Sequence, residues 1–348
     1  MAYTTINKST DYFNTKLYTG TGSSNAITGV GFQPDFTWIK NRSTTHDHIL
    51  TDAVRGVTKD IRSNNADAEA TDSNGLTAFG TDGFTVGSKV NINNNGSNIV
   101  SWNWKAGGGQ GSSNTDGSIN TTYTSVNTTS GFSISKYTGT GANATVGHGL
   151  GAVPKMIITK NLQQGNEGWL VYHASMGNTK KCNLNSGGDF GTDATAWNST
   201  TPTNDVFSIG TNWGSNGNGH PMVAYCFADK KGYSKFGSYV GNGNSNGTFV
   251  YTGFKPAFVM FKNNYSATHW QMYDTTRNTF NVIDDLLRAN ESNAENTNDA
   301  NESIDILSNG FKCRGVSNAN NNWSGNTYIY MAFGQSIVGS NNVPATGR

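Results

Sequence analysis

Three stretches of this chain share one spelling. The first reads Tyr18-Thr-Gly-Thr-Gly22, then Gly31-Phe-Gln-Pro34, then Phe36-Thr-Trp-Ile-Lys40. The second runs Tyr137-Thr-Gly-Thr-Gly141, Gly151-Ala-Val-Pro154, Met156-Ile-Ile-Thr-Lys160, and the third Tyr239-Val-Gly-Asn-Gly243, Gly253-Phe-Lys-Pro256, Phe258-Val-Met-Phe-Lys262. Tyrosine to proline is 16, 17 and 17 residues, and proline to lysine is 6 in all three. Composition alone does not produce such agreement, so the chain is a tandem triplicate. The period, about 100 to 120 residues, far exceeds solenoid or propeller periods and predicts a domain with its own core in each copy.

Each copy also ends alike. Val100-Ser-Trp102-Asn-Trp104, Val223-Ala-Tyr225-Cys-Phe227 and Ile329-Tyr-Met331-Ala-Phe333 lie 20, 20 and 22 residues after Phe84, Phe207 and Phe311. Their two-residue period predicts a half-buried closing strand, with Trp104, Phe227 and Phe333 at one buried site of three superposable domains. Charged residues make up only 14% of the chain, and aromatic residues 11%, which suits aromatic strands joined by Asn/Gly turns better than disorder. The fold class expected is all-β: three tandem β-sandwich domains of jelly-roll or lectin-like type, over 1–106, 131–235 and 236–348, the last with a C-terminal tail. Between the first two, the stretch 107–130 opens on Gly107-Gly-Gly-Gln-Gly-Ser-Ser and reads as a flexible linker that leaves domain one free. The run from Val282 to Leu287 predicts one short helix, and the Gly-x-Gly of each copy reads as a hairpin turn rather than a phosphate loop.

Charge sets limits on partners. With 24 basic and 23 acidic residues and no basic run longer than Lys230-Lys231, a nucleic-acid partner is not expected. The amino terminus has no signal-peptide pattern and no apolar stretch reaches membrane-spanning length, which predicts synthesis in the cytoplasm and no membrane insertion. Cys182, Cys226 and Cys313 are odd in number and scattered, and read as small buried residues.

Several residue patterns invite a chemical reading. Asp52/Arg55 and Asp274/Arg277 follow the repeat-matched lysines by 12 residues, while copy two carries His173/Met176; a pair present twice reads as a structural ion pair rather than as catalytic acids. Arg62 and Arg288 match in position, with Leu184 in the second copy. His46, Asp47 and His48 offer imidazole and carboxylate but no fourth ligand, and the acidic loops Asp67 to Asp72 and Glu295 to Asp299 lack the ligand order of a calcium site, so no metal or other cofactor is expected. Trp197, Trp213 and Trp323 sit among Asn, Ser and Gly and are the candidates for glycan contact, an aromatic face flanked by amides being suited to a sugar ring. The plainer reading is that each plugs the end of its own sandwich.

Trp102-Asn-Trp-Lys-Ala-Gly-Gly108, Gly147-His-Gly-Leu-Gly-Ala-Val-Pro-Lys-Met-Ile-Ile158, Trp169-Leu-Val-Tyr-His-Ala-Ser175 and Gly232-Tyr-Ser-Lys-Phe-Gly-Ser-Tyr239 together resemble a repeat family of marine tailed bacteriophages. Its members are described as tail-fibre or virion structural proteins. The resemblance spans about 12 to 335 and implies a non-enzymatic virion-surface protein of tail-fibre or host-contact type, with other virion proteins (a tail adaptor or nozzle, or the major capsid protein) and a host surface glycan as partners. It carries no catalytic or binding residue. The missing fibrous shaft leaves a head-decoration or head-fibre role as the alternative, and a glycan-cutting depolymerase as a second. A rigid junction between domains two and three, with domain one on a linker, predicts a homotrimer built through the last two domains.

Overall fold

The alternating closing strands become the second strand of three matching antiparallel sheets. In the computed structural model, which describes residues 4–265, 268–315 and 319–336, copy one orders Phe13–Thr19, Asn98–Trp104, Phe36–Asn41 and Ile49–Asp52 across its sheet. Copy two orders Phe132–Thr138, Pro221–Phe227, Met156–Asn161 and Leu170–His173, and copy three Ser234–Val240, Thr327–Gly334, Pro256–Asn263 and Gln271–Asp274. Register is the same in each. Trp104 lies between Phe13 and Phe36, Phe227 between Phe132 and Met156, and Phe333 between Ser234 and Phe258. The protein is all-β, with only four short helical turns among the described residues.

Each sheet is buried on both faces, which corrects the half-buried strand read from the alternation. Ile99, Tyr137 and Tyr330 face three separate outer cores, closed over by small sheets such as Asn25–Thr28 with Gly83–Val86 and Leu76–Gly80. The opposite faces meet each other. Trp102 and Trp104 of copy one, Tyr225 and Phe227 of copy two, and Met331 and Phe333 of copy three belong to one continuous apolar cluster. The expectation of a separate core per copy is therefore half right: each has its own outer core, and all three share the central one. Trp104, Phe227 and Phe333 are 1%, 2% and 1% exposed, and Phe333 packs 5.7 Å from Trp104 and 6.1 Å from Phe227 by ring centroids.

The stretch 107–130 is not a free linker. Tyr123–Asn127 pairs with Phe132–Thr138 as an extra strand of the second sheet, and Ile119 bridges Val146. Its glycines serve close approach: a Cβ on Gly111 would lie 2.0 Å from the Thr124 carbonyl oxygen, and one on Gly117 would lie 2.5 Å from that of Thr145. Composition cannot separate a glycine that bends freely from one pressed against backbone. Domain one is accordingly fixed. The third copy begins at Ser234, the register equivalent of Phe13 and Phe132, two residues before the boundary expected at 236. No helix forms over 282–287; Ile283 bridges Ile304, Leu286 bridges Asn296, and Leu287–Arg288 is a strand. The tail from 337 onward lies outside the described residues.

The Gly-x-Gly turns are corners between sheets rather than hairpins, since Phe13–Thr19 pairs with Asn98–Trp104 while Asn25–Thr28 pairs with Gly83–Val86. A buried asparagine fills each corner. Thr21, Thr140 and Asn242 donate their backbone N–H to Oδ1 of Asn93, Asn216 and Asn322 at 2.9, 2.7 and 3.0 Å. The first glycine is needed because a Cβ at Gly20, Gly139 or Gly241 would fall 2.1 to 2.4 Å from a carbonyl oxygen; the second because Gly22, Gly141 and Gly243 hold φ of 66° to 68°. Asn216 also donates to Ala142 O and Gly210 O, at 2.6 and 2.7 Å. Asn216→Ala leaves those groups unpaired in a closed corner and is expected to cost about 2–4 kcal/mol, read as a shift of the urea midpoint at unchanged slope.

Candidate functional site

The repeat-matched polar residues lie where one copy meets the next, and they form a cycle. Trp169 of copy two donates Nε1–H to Arg62 O of copy one at 2.8 Å, and Trp270 of copy three donates to Asn183 O of copy two at 3.0 Å. His48 of copy one closes the ring, its Nε2 lying 3.1 Å from Arg288 O of copy three, while its Nδ1 accepts from Trp38 Nε1 at 2.8 Å. Both His48 nitrogens are thus committed to protein partners, and the ring is held neutral by burial. These carbonyls also correct the match of Arg62 and Arg288 with Leu184. The bridges and pairs Leu50 with Ile61, Val171 with Cys182 and Met272 with Leu287 place Asn183, not Leu184, at the Arg62 and Arg288 position.

Asp52 with Arg55 and Asp274 with Arg277 form ion pairs of 2.5 and 2.6 Å whose side chains are fully buried. Each carboxylate takes a further donor from another copy: Tyr225 Oη reaches Asp52 Oδ2 at 2.7 Å, and Trp102 Nε1 reaches Asp274 Oδ2 at 3.0 Å. Tyr225 and Trp102 occupy the same place in their closing strands, and the third member of that set is Met331. Methionine has no hydrogen to donate. The copy facing it has no carboxylate, for His173 bonds the neighbouring Tyr330 O at 3.1 Å, and the arginine position is Met176. Donor, acid and base are absent together from the third interface, which is why the pair lapses in copy two.

Burial drives the His173 pKa down to about 4. An unfolded chain takes up that proton near pH 6.5, so as pH falls through the window from about 6.5 to 4 the unfolded state binds protons first and stability drops. The loss attributable to His173 should approach about 3 kcal/mol by pH 4. A His173→Gln variant should show a flatter stability profile between pH 7 and 4, measured by urea unfolding at each pH.

Lys40, Lys160 and Lys262, the last residues of the three matched motifs, are fully buried, and burial lowers each to about 8. Their amines hold loops: Lys40 donates to Ser292 O of copy three at 3.2 Å, Lys160 to Ala66 O of copy one at 2.9 Å, and Lys262 to Thr268 Oγ1 at 2.6 Å, whose N–H reaches Gly187 O of copy two. The acidic loops belong to this arrangement. Glu69 accepts from Arg55 at 3.1 Å and Glu295 from Arg277 at 2.8 Å, while Asp67 and Asp72 pair with Arg62 and Lys89. Asn41, Asn161 and Asn263, each directly after its lysine and each fully buried, cap the next turn by accepting from Ser43, Gln163 and Tyr265 N–H. The three Lys-Asn dipeptides were a readable signal for them. Cys182, Cys226 and Cys313 are free and buried, and burial pushes their thiols up, Cys182 and Cys313 to about 12.

The three candidate tryptophans part company. Trp197 is 1% exposed and packs edge-on to Tyr172 inside the second outer core, so it cannot meet a glycan. Trp213 is 47% exposed with His220 edge-on at 5.2 Å, and Trp323 is 39% exposed with Tyr265 edge-on at 5.4 Å. Both pairs lie on the Asn-capped ends of their sheets, Asn161 donating to Trp213 O and Asn263 to the nearby Ala319 O. Tyr265 completes the second pair and carries no repeat signature of its own. One family description, a domain of unknown function (DUF7483), matches residues 8–336 and so takes in all three copies. The chain belongs to the DUF7483 family. Neither a curated protein nor a solved structure matches it. In this DUF7483 domain the matched polar residues join the copies, and the exposed aromatic pairs are held at the edge of that network by Asn161 and Asn263. Among the described residues no helix is long and apolar enough to cross a membrane.

Proposed function

We propose that this protein is a non-enzymatic structural component of a bacteriophage virion, exposed at the particle surface and in contact with the host. The observation that carries the reading is the closed ring of three copies around one core, a rigid body whose buried carboxylates are held by arginines. Asp52 and Asp274 are committed to ion pairs away from solvent and are not placed to act as a general acid and base, which weighs against a depolymerase. The resemblance to tail-fibre and virion structural repeats supports the same reading. Trp213 with His220 and Tyr265 with Trp323 are the surfaces proposed for host glycan. Immunogold labelling of intact particles tests the placement: label at the tail supports host contact, label over the head moves the protein to a decoration or head-fibre role, and absence from purified virions overturns both.

The ring also bears on assembly. A homotrimer was the natural expectation for a mobile first domain and a rigid pair behind it, but all three copies are fixed around the same core. We therefore propose that one chain supplies the three-fold arrangement by itself. Light scattering should give a mass near the 37.2 kDa of the chain, and a mass three times larger at micromolar concentration would restore the homotrimer.

A further inference from the structure

We propose that the cleft beside the outer sheet of copy three binds an acidic saccharide, with a sugar ring on Tyr251 and its carboxylate or sulfate group among the lysines. The inference does not depend on where the protein sits in a particle. Asp229, Lys230, Lys231, Ser234, Lys235 and Tyr251 line an open cleft of about 500 Å³, room for about two sugar rings. Lys230 and Lys235 line the cleft with one carboxylate, Asp229, whose Oδ1 already accepts from Phe236 N–H at 2.9 Å. Lys235 fixes positive charge over one face of the ring, its amine 5.3 Å from the Tyr251 centroid and 3.2 Å from Tyr251 O. Tyr251 is 55% exposed, and Phe249, on the same outward face of its strand, is 45% exposed.

The scaffold does not ask for these residues. Register equates Tyr251 with Thr28 and Gly147, Phe249 with Ala26 and Thr145, and Lys235 with Asn14 and Ser133. Two copies fold with small or neutral polar side chains there, so the aromatic and basic set in copy three is not needed to build the sheet. Exposed aromatic rings are a solubility liability unless something covers them. A ring face, hydroxyls and a confined positive charge suit a sugar that carries an acid group. A nucleic-acid strand would need the charge to continue along its backbone, and a chain of net charge +1 has no such stripe.

Titration calorimetry and saturation-transfer NMR with a glucuronic-acid trisaccharide, its neutral methyl ester and a sulfated galactose trisaccharide test the site. At least one acidic probe should bind, more weakly as salt rises, and the ester should bind about ten-fold more weakly than its acid. Tyr251→Ala should reduce affinity about ten-fold and Lys235→Gln several-fold, with unchanged circular dichroism showing that both variants fold. Trp323→Ala should leave this binding intact, which separates the cleft from the Tyr265–Trp323 pair. The proposal is overturned if neither acidic probe binds at about 10 mM, if the ester binds as well as the acid, or if Tyr251→Ala changes nothing. Single-stranded DNA that binds through Tyr251 while both acidic saccharides fail would assign the cleft to another ligand class.

Discussion

A Phe333→Ala variant is expected to lose about 3–5 kcal/mol of stability, the range for truncating a closely packed core aromatic, and to lose it for all three copies at once. The Phe333 ring lies 5.0 Å from Phe13 and 5.7 Å from Trp104 of copy one, 6.1 Å from Phe227 of copy two and 6.4 Å from Phe258 of its own copy. The cavity would open where the three sheets meet and cannot be closed by any one of them. Urea unfolding followed by far-ultraviolet circular dichroism and by tryptophan fluorescence should give one coincident transition, moved to lower urea. Two transitions, with part of the fluorescence change unmoved, would mean that the copies unfold independently. Deleting residues 1 to 118 should be worse still, because it strips one wall from the central cluster and leaves Phe258 and Phe333 facing water.

The second large effect concerns the interfaces. Asp52→His should cost about 3–5 kcal/mol, since Arg55 would remain buried beside an uncharged ring with only Glu69 and backbone carbonyls for company. Copy two already shows what a neutral interface of this kind contains. The triple variant Asp52→His, Arg55→Met, Tyr225→Met reproduces the set His173, Met176 and Met331, removing the buried ion pair and its tyrosine donor while leaving Glu69 without Arg55. It should recover about half of the single-variant loss; full recovery is not expected because Tyr225 also stacks on Phe36 at 4.5 Å. A triple variant less stable than Asp52→His alone would show that the three positions are not coupled. Chemical denaturation of the parent, the single variant and the triple variant in parallel decides.

Spacing made the repeats readable because every copy solves the same contacts: Pro34 and Pro154 precede, and Pro256 opens, a buried strand that ends on a buried Lys-Asn pair. What the copies do to one another was not readable. The pattern Val100, Trp102, Trp104 is the same whether the strand lines a private core or a shared one. Ser101 and Asn103 looked like a solvent face, yet both are fully buried, with Asn103 Nδ2 donating to Asn14 O at 3.1 Å. Gly111 and Gly117 looked flexible because close backbone approach leaves no trace in composition. Trp197 shared its Asn- and Thr-rich surroundings with exposed tryptophans, and only its place under the small sheet tells it apart. The missing acid at His173 becomes intelligible once Met331, 158 residues away in the chain, is read beside it.

A homotrimer writes every substitution three times, so a side chain useful on one flank is imposed on the other two. Three copies fused in one chain escape that rule. Copy three carries Phe249, Tyr251 and Lys235, copy two carries Trp213, and copy one carries Val90 at the place of Trp213, all on an unchanged frame. The three flanks of such a molecule therefore differ while their frame stays the same, and a surface useful on one flank need not be repeated on the other two.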